Sequence, residues 1–245
     1  MRPIIFDIFG EPLSSYYFFI SLGILIGTYI LYRNSKKAGL NTAYMLDIAI
    51  ICIISGYIGG RLFHIIFSMP SYYINNPLEI FQFWKGGYAI YGAIILPILF
   101  IYLYARYRKI PTLSVTDALA PALSAGTFIG RIGCLLQGCC YGKISSVPWA
   151  ITDAFGIDRH PTQIYLSLHG LIMFLILAYI YKNKKYDGQT TYWYFLLYSS
   201  GRFIIEIFRA DERGGFLGMS SFQIISIILF VWSICKTRKN RNKYA

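Results

Sequence analysis

Seven blocks of apolar residues, each long enough to cross a bilayer as a helix, constrain this chain more than any other feature. About 20 apolar residues at a rise of ~1.5 Å cover the ~30 Å hydrocarbon core. The blocks fall at about 14–32, 43–67, 86–104, 115–136, 162–181, 190–208 and 220–235. In lipid every backbone polar group must be satisfied within the protein, so open runs of this length predict helices. The 245 residues are 56% hydrophobic and only 14% charged, against roughly a quarter charged in a soluble domain. No repeat, low-complexity tract or soluble insert interrupts the blocks. The expected fold is an all-α membrane protein with seven transmembrane helices, residues 1–245 forming a single polytopic membrane domain.

A net charge of +12 would suit a nucleic-acid binder, but its distribution excludes that class. Basic clusters follow alternate blocks: Arg33, Lys36 and Lys37; Arg106, Arg108 and Lys109; Lys182, Lys184 and Lys185; then Lys236, Arg238, Lys239, Arg241 and Lys243. The other side carries only Arg2, Lys85, Lys143, Arg159, Arg209 and Arg213. By the positive-inside rule the rich side is cytoplasmic, which puts the N-terminus outside and the C-terminus inside. The charge orients the chain, and no nucleic acid is implied. The first block is expected to be retained. It is long, Met1-Arg2 is a thin basic start, and no small-residue cleavage site follows.

Three arginines fall inside the blocks: Arg61, Arg131 and Arg202. Each costs at least ~2.5–3.5 kcal/mol on insertion scales, so each needs a reason. The topology puts all three in the outer half of the membrane. One reason is structural: Glu206 lies one turn beyond Arg202, at ion-pairing distance along a helix. Asp47 and Asp117 lie near inner ends, too far along to neutralise Arg61 or Arg131. The other reason is an anionic ligand, and a phospholipid phosphate suits guanidinium geometry best. Glycines flank each arginine (Gly56, Gly59 and Gly60; Gly126, Gly130 and Gly133; Gly201), and Gly23-xxx-Gly27 reads as a helix-packing pair. Pro97 and Pro121 would free carbonyls toward a cavity.

Five cysteines are unevenly placed. Cys52 and Cys235 lie in apolar blocks and read as packing residues. Cys134, Cys139 and Cys140 crowd the end of the fourth block in a spacing unlike zinc sites, so no metal is expected. A Cys134–Cys139 disulfide stays open.

The run Gly130-Arg131-Ile132-Gly133-Cys134-Leu135-Leu136-Gln137-Gly138-Cys139-Cys140-Tyr141-Gly142 resembles the signature of the prolipoprotein diacylglyceryl transferases. So, in order, do Gly59-Gly60-Arg61-Leu62, Arg159-His160-Pro161-Thr162-Gln163-Ile164-Tyr165, and Tyr198 through Arg209 with Gly201-Arg202 and Glu206. Asp211 and the stretch from Met219-Ser220 to Gln223 also fit.

The resemblance implies a multi-pass enzyme of the bacterial cytoplasmic (inner) membrane. Such an enzyme moves the diacylglyceryl group of phosphatidylglycerol onto the lipobox cysteine of prolipoprotein signal peptides, with no cofactor. It implies Arg131 and Arg202 as the groups that stabilise the departing phosphate. Arg61, Arg209, Glu206, Gln137, Cys134, Gly92, Gly142, Tyr17 and Tyr198 are implied around the substrate; the two tyrosines also read as interfacial aromatics.

Departures from the pattern bear on the base. The family's His-Gly-Gly is Tyr91-Gly92-Ala93, and a phenol needs neighbouring arginine to accept a proton near neutrality. Polar residues of the pattern are replaced by Cys134, Gln137, Cys139 and Leu166. A relative with another thiol or lipid acceptor, a transporter of anionic lipid and a membrane thiol–disulfide protein remain as alternatives; Cys139 as a transient nucleophile is another. The loops at about 68–87 and 137–161 are the longer ones. The first, with Pro70, Tyr72, Tyr73, Pro77 and Trp84, suits an interfacial helix.

Overall fold

The computed structural model describes residues 2–8, 11–210, 215–216 and 218–244. Asp211 and Arg213 lie outside the described residues. The described chain is mainly helical: α1 (Ser15–Lys37), α2 (Thr42–Phe63), the short α3 (Pro70–Asn75), α4 (Ile90–Tyr107), α5 (Thr112–Gln137), α6 (Thr162–Lys182), α7 (Gln189–Glu206) and α8 (Ser221–Tyr244). Three small antiparallel hairpins accompany them: β1 (Ile4–Ile8) with β2 (Glu11–Ser14), β3 (Ile151–Thr152) with β4 (Asp158–Arg159), and β5 (Gly215–Phe216) with β6 (Met219–Ser220).

A long helix stands at each of the seven apolar blocks, and six of them are long and apolar enough to cross a membrane. The chain is a multi-pass membrane protein. Helix α7 is not among the six, because its 18 residues include Gln189, Thr190, Thr191, three tyrosines, Ser199, Ser200, Arg202 and Glu206. Helix ends depart from the apolar blocks where charge permits. α1 continues through Lys36 and Lys37, and α8 runs on through its basic tail, cations being favourable at helix C-termini. α4 starts at Ile90 rather than 86, since Gly86 (φ 79°) and Gly87 (φ 77°) are left-handed and stop a helix forming earlier.

The chain divides into two compact units, residues 32–115 and residues 1–31 with 116–245. In the first, α2 packs on α4 through small residues. A Cβ on Gly59 or on Gly92 would run into the other's backbone carbonyl, so the helices touch through bare backbone there. Gly92 therefore has a packing role that its place in the motif did not reveal. Asp47 accepts a hydrogen bond from the Tyr104 hydroxyl.

In the second unit, Gly23 and Gly27 of α1 face Gly126 and Ala122 of α5, where a Cβ would come within 3.1 and 3.3 Å of carbonyl oxygens. Gly170 of α6 lies against Ser124 and Phe128 of α5, and Ser167 Oγ donates to Phe128 O at 2.9 Å. Asp117, fully buried, accepts from the Gly188 and Thr191 amides and the Thr191 hydroxyl, each at 2.8 Å, and from Lys184 Nζ at 3.1 Å. It neutralises the start of α7 and has no spare capacity for a transported ion.

Candidate functional site

Arg61 is 3% exposed at the last turn of α2, and backbone carbonyls surround its guanidinium. Nη2 donates to Glu79 O at 2.6 Å and Gln82 O at 3.3 Å, Nη1 donates to Gly86 O, and Nε reaches Ile80 O at 3.5 Å. The Tyr73 ring lies 5.2 Å from its Cζ. One side chain thus fastens the 79–87 segment, which contains short 3₁₀ turns. The Glu79 side chain turns outward to the Tyr72 hydroxyl (2.8 Å) and Lys85 (3.0 Å), and these bonds hold its carboxyl below the usual range. Ile74, Leu78, Phe81 and Trp84 are all exposed on this stretch. Tyr91, in the first turn of α4, is 41% exposed.

The other three motifs meet in the second unit. After α5 ends at Gln137 the chain turns through Gly138 and Cys140, both left-handed. Buried Thr162 and Gln163, at the start of α6, hold this turn by donating to Cys140 O and Cys139 O, each at 2.7 Å. Gly142 then pairs with Arg209, and its amide donates to His160 O at 2.9 Å. A Cβ at Gly142 would strike Phe208 O and the His160 side chain, so no larger residue fits. The signature run, the Arg159–Tyr165 turn and the end of α7 are thereby tied into one corner.

Arg131 is half-buried one turn before Cys134 on α5. Among the described residues no carboxylate lies in ion-pair range of it and no hydrogen bond engages its guanidinium. Arg202, 5% exposed, pairs with Glu206 at 2.7 Å and lies over the Phe222 ring, 4.8 Å from Cζ to centroid. Ser220 Oγ donates to the other Glu206 oxygen at 3.1 Å. Arg209 is buried at the end of this helix.

Cys134, Cys139 and Cys140 are free thiols, so the disulfide left open by the sequence is not formed. Cys235 is exposed rather than packed within the protein. Hydrogen bonds from the Cys134 and Cys139 thiols, then the charges of Arg131 and Arg209, push the Cys140 thiol down. Gln137 accepts from Ser14 Oγ at 2.8 Å, fixing the β1–β2 hairpin to the end of α5. Tyr198 stacks on Tyr194 at 5.9 Å, half-buried, while Tyr17 is 62% exposed.

Two residues with no assigned role in the sequence reading join this corner. His160 packs 4.9 Å from Phe208, with Nδ1 3.2 Å from the Tyr165 hydroxyl, and that hydroxyl also accepts from Trp149 Nε1 at 2.7 Å. Gln163 is fully buried, and its Oε1 has no hydrogen-bond partner among the described residues. Both belong to the Arg-His-Pro-Thr-Gln-Ile-Tyr run; that motif was the only signal for them.

Residues 3–237 match the prolipoprotein diacylglyceryl transferase family. The chain belongs to that family. It is 35% identical over 250 residues to the phosphatidylglycerol–prolipoprotein diacylglyceryl transferase of Clostridium tetani, covering 98% of this chain and all of the relative. The enzyme of the same name from Clostridioides difficile is 35% identical over 99% of this chain and 98% of its own length. That from Bordetella parapertussis is 32% identical over 85% of this chain and 82% of its own length. In this member of the family, three thiols lie beside Arg131.

Proposed function

We propose that this protein transfers the diacylglyceryl group of phosphatidylglycerol to the lipobox cysteine of prolipoproteins, at the outer face of the bacterial inner membrane. In this reading the whole chain is one membrane domain with seven spans, α7 included, an outer N-terminus and a cytoplasmic C-terminus. The four basic clusters on alternate connections support that orientation. A reporter fused after Tyr244 should be active only in the cytoplasm; a periplasm-active fusion there would overturn the topology.

The observation that carries the reaction is Arg131: a half-buried guanidinium with no protein counter-charge among the described residues, in the family's signature run. A phosphate is the ligand that such a fork fits. The incoming thiol loses its proton and attacks the glycerol carbon that bears the phosphate ester. A C–S bond forms, the C–O bond breaks, and glycerol phosphate departs with the electron pair. Arg131 meets the charge gathering on that leaving oxygen, where a fixed donor in a dry site is most effective. Arg202, held by Glu206, is the proposed second cation, and Arg209 lines the same corner. Tyr198 and Gln137 are proposed to contact the lipid headgroup region, with Tyr17 at the membrane interface.

Tyr91 is the proposed acceptor of the thiol proton. Tyr91→Phe should abolish transfer and Tyr91→His should keep it; full activity in Tyr91→Phe would put the base elsewhere. The reaction itself is tested by mass spectrometry of a lipobox peptide incubated with the purified protein and phosphatidylglycerol. A gain of one diacylglyceryl group is expected, and no gain with correctly inserted protein would sink the assignment.

A further inference from the structure

The Sγ atoms of Cys134, Cys139 and Cys140 all lie within 4.8 Å of one another. Three sulfurs bound to one ion at ~2.3 Å in a trigonal plane would stand about 4 Å apart, so only small side-chain rotations separate the present arrangement from a closed site. The cluster is built into the fold. Cys134 is fixed on α5, and the turn carrying the other two is closed by Cys139 N donating to Cys134 O at 3.2 Å. Thr162 and Gln163 clamp its two carbonyls from α6. Cys140 keeps a left-handed backbone, φ 66°, that a non-glycine residue adopts only when its surroundings impose it.

The charge around the cluster selects the ion. Two guanidiniums, Arg131 and Arg209, act on Cys140. A hard cation held by neutral oxygens would be repelled there. An ion of low charge suits sulfurs that already lie beside two cations. All-sulfur, three-coordinate ligation suits soft ions, and zinc's need for a fourth ligand is not imposed. The spacing alone raises no such expectation, because Cys-x₄-Cys-Cys resembles no tetrahedral zinc pattern and the left-handed turn that folds it back leaves no mark in it.

The geometry points to Cys134, Cys139 and Cys140 as a thiolate site for a soft, thiophilic metal ion of the monovalent copper class. Binding forms three sulfur–metal bonds and releases the thiol protons to solvent; nothing is oxidised or reduced. The site stands whether or not the transferase assignment does, because its readout is metal binding and not lipid transfer.

The test uses the full-length protein, reduced and metal-free in lipid nanodiscs under argon, titrated with copper(I) against a chromophoric chelator. One ion per chain should be taken from the chelator, with thiolate-to-copper ultraviolet absorption and a sulfur-only, three-coordinate X-ray absorption signature. The Cys52→Ser/Cys235→Ser variant should behave identically. Cys139→Ser alone should weaken retention, and the triple variant Cys134→Ser/Cys139→Ser/Cys140→Ser should lose it with unchanged helical content. Failure of the parent protein to compete with the chelator would overturn the proposal, as would stoichiometric copper in the triple variant. A disulfide among the three, found by alkylation of protein isolated without reductant, would overturn it equally.

Discussion

Arg61 and Arg131 are the same residue type near the C-terminal ends of apolar helices, yet their surroundings differ in kind. In residues 32–115 the Arg61 guanidinium is enclosed by the carbonyls of Glu79, Gln82 and Gly86, with the Tyr73 ring beside it. In the other unit Arg131 has no carboxylate or hydrogen-bond partner among the described residues, and three thiols lie along the next turn. A guanidinium has five donors. Where the backbone occupies them the arginine is a fastener; where nothing does, it is available to a ligand. Depth in the membrane, which prompted interest in both, does not distinguish the two roles.

Replacing Arg131 should give the largest functional effect. Arg131→Ala is expected to lower the transfer rate on the order of 10²–10³-fold, the scale for removing a fixed donor to a developing oxyanion. Its unfolding midpoint should barely change, because among the described residues the guanidinium makes no hydrogen bond or ion pair to lose. Arg131→Lys should recover only part of the rate, since a point charge lacks the fork. A wild-type rate in Arg131→Ala, measured with lipobox peptide and phosphatidylglycerol, would remove the contrast.

Arg61→Ala should show the reverse pattern. A buried carbonyl left without a donor costs about 1–3 kcal/mol; Gly86 O loses its donor, while Glu79 O and Gln82 O keep only the amides of Gln82 and Lys85. Thermal unfolding in detergent should shift down clearly, and the 64–89 segment should become sensitive to protease. Activity should fall in step with folded protein, and substrate saturation should be reached at the same lipid concentration. A stable Arg61→Ala protein with a selectively raised KM for phosphatidylglycerol would make Arg61 a ligand after all.

The sequence made the helices legible because uninterrupted apolar blocks need no partner to be read. It also made the arginines conspicuous. It did not separate Arg61 from Arg131, because a guanidinium's carbonyl partners 18–25 residues away leave no mark in side-chain identity. Glu206 was legible as the partner of Arg202, since four residues along a helix is a fixed geometry. The roles of Gly92 and Gly142 were legible only as motif membership, and the backbone contacts that forbid a Cβ there belong to tertiary packing. The three thiols were each visible, but their convergence depends on a left-handed residue at Cys140 that no spacing rule anticipates.

Arg202 lies between the two extremes, paired with the Glu206 carboxylate. Glu206→Gln removes the charge and keeps one acceptor oxygen, which can face the guanidinium or Ser220 but not both. The difference between a charged and a neutral hydrogen bond suggests a loss of about 1 kcal/mol in stability. If Arg202 serves the phosphate, the same change should tighten apparent binding of phosphatidylglycerol, because substrate then supplies the missing negative charge. A stability loss with unchanged lipid affinity would place Arg202 beside Arg61, as a structural cation.

The smallest effect is expected at the β3–β4 hairpin, which leads into the His160 turn. Asp153 accepts from the Phe155 and Ile157 amides at 2.8 and 3.0 Å and from Arg159 Nε at 2.6 Å. The Arg159 hydrogen bond first, then the Ile157 amide, hold its carboxyl below the ordinary range. A carboxylate depressed in the folded state contributes stability above its unfolded pKa, near ~3.9, and loses it as pH falls through the folded value. Limited proteolysis of the loop should therefore increase only in acid, while transfer near neutral pH stays unchanged. Asp153→Asn should show the acid pattern at every pH, with activity reduced slightly if the hairpin sets the angle of His160. Loop cleavage independent of pH in the parent protein would show that Arg159 is held by something other than this carboxylate. The corner would then keep its shape without the one ion pair found in its loop.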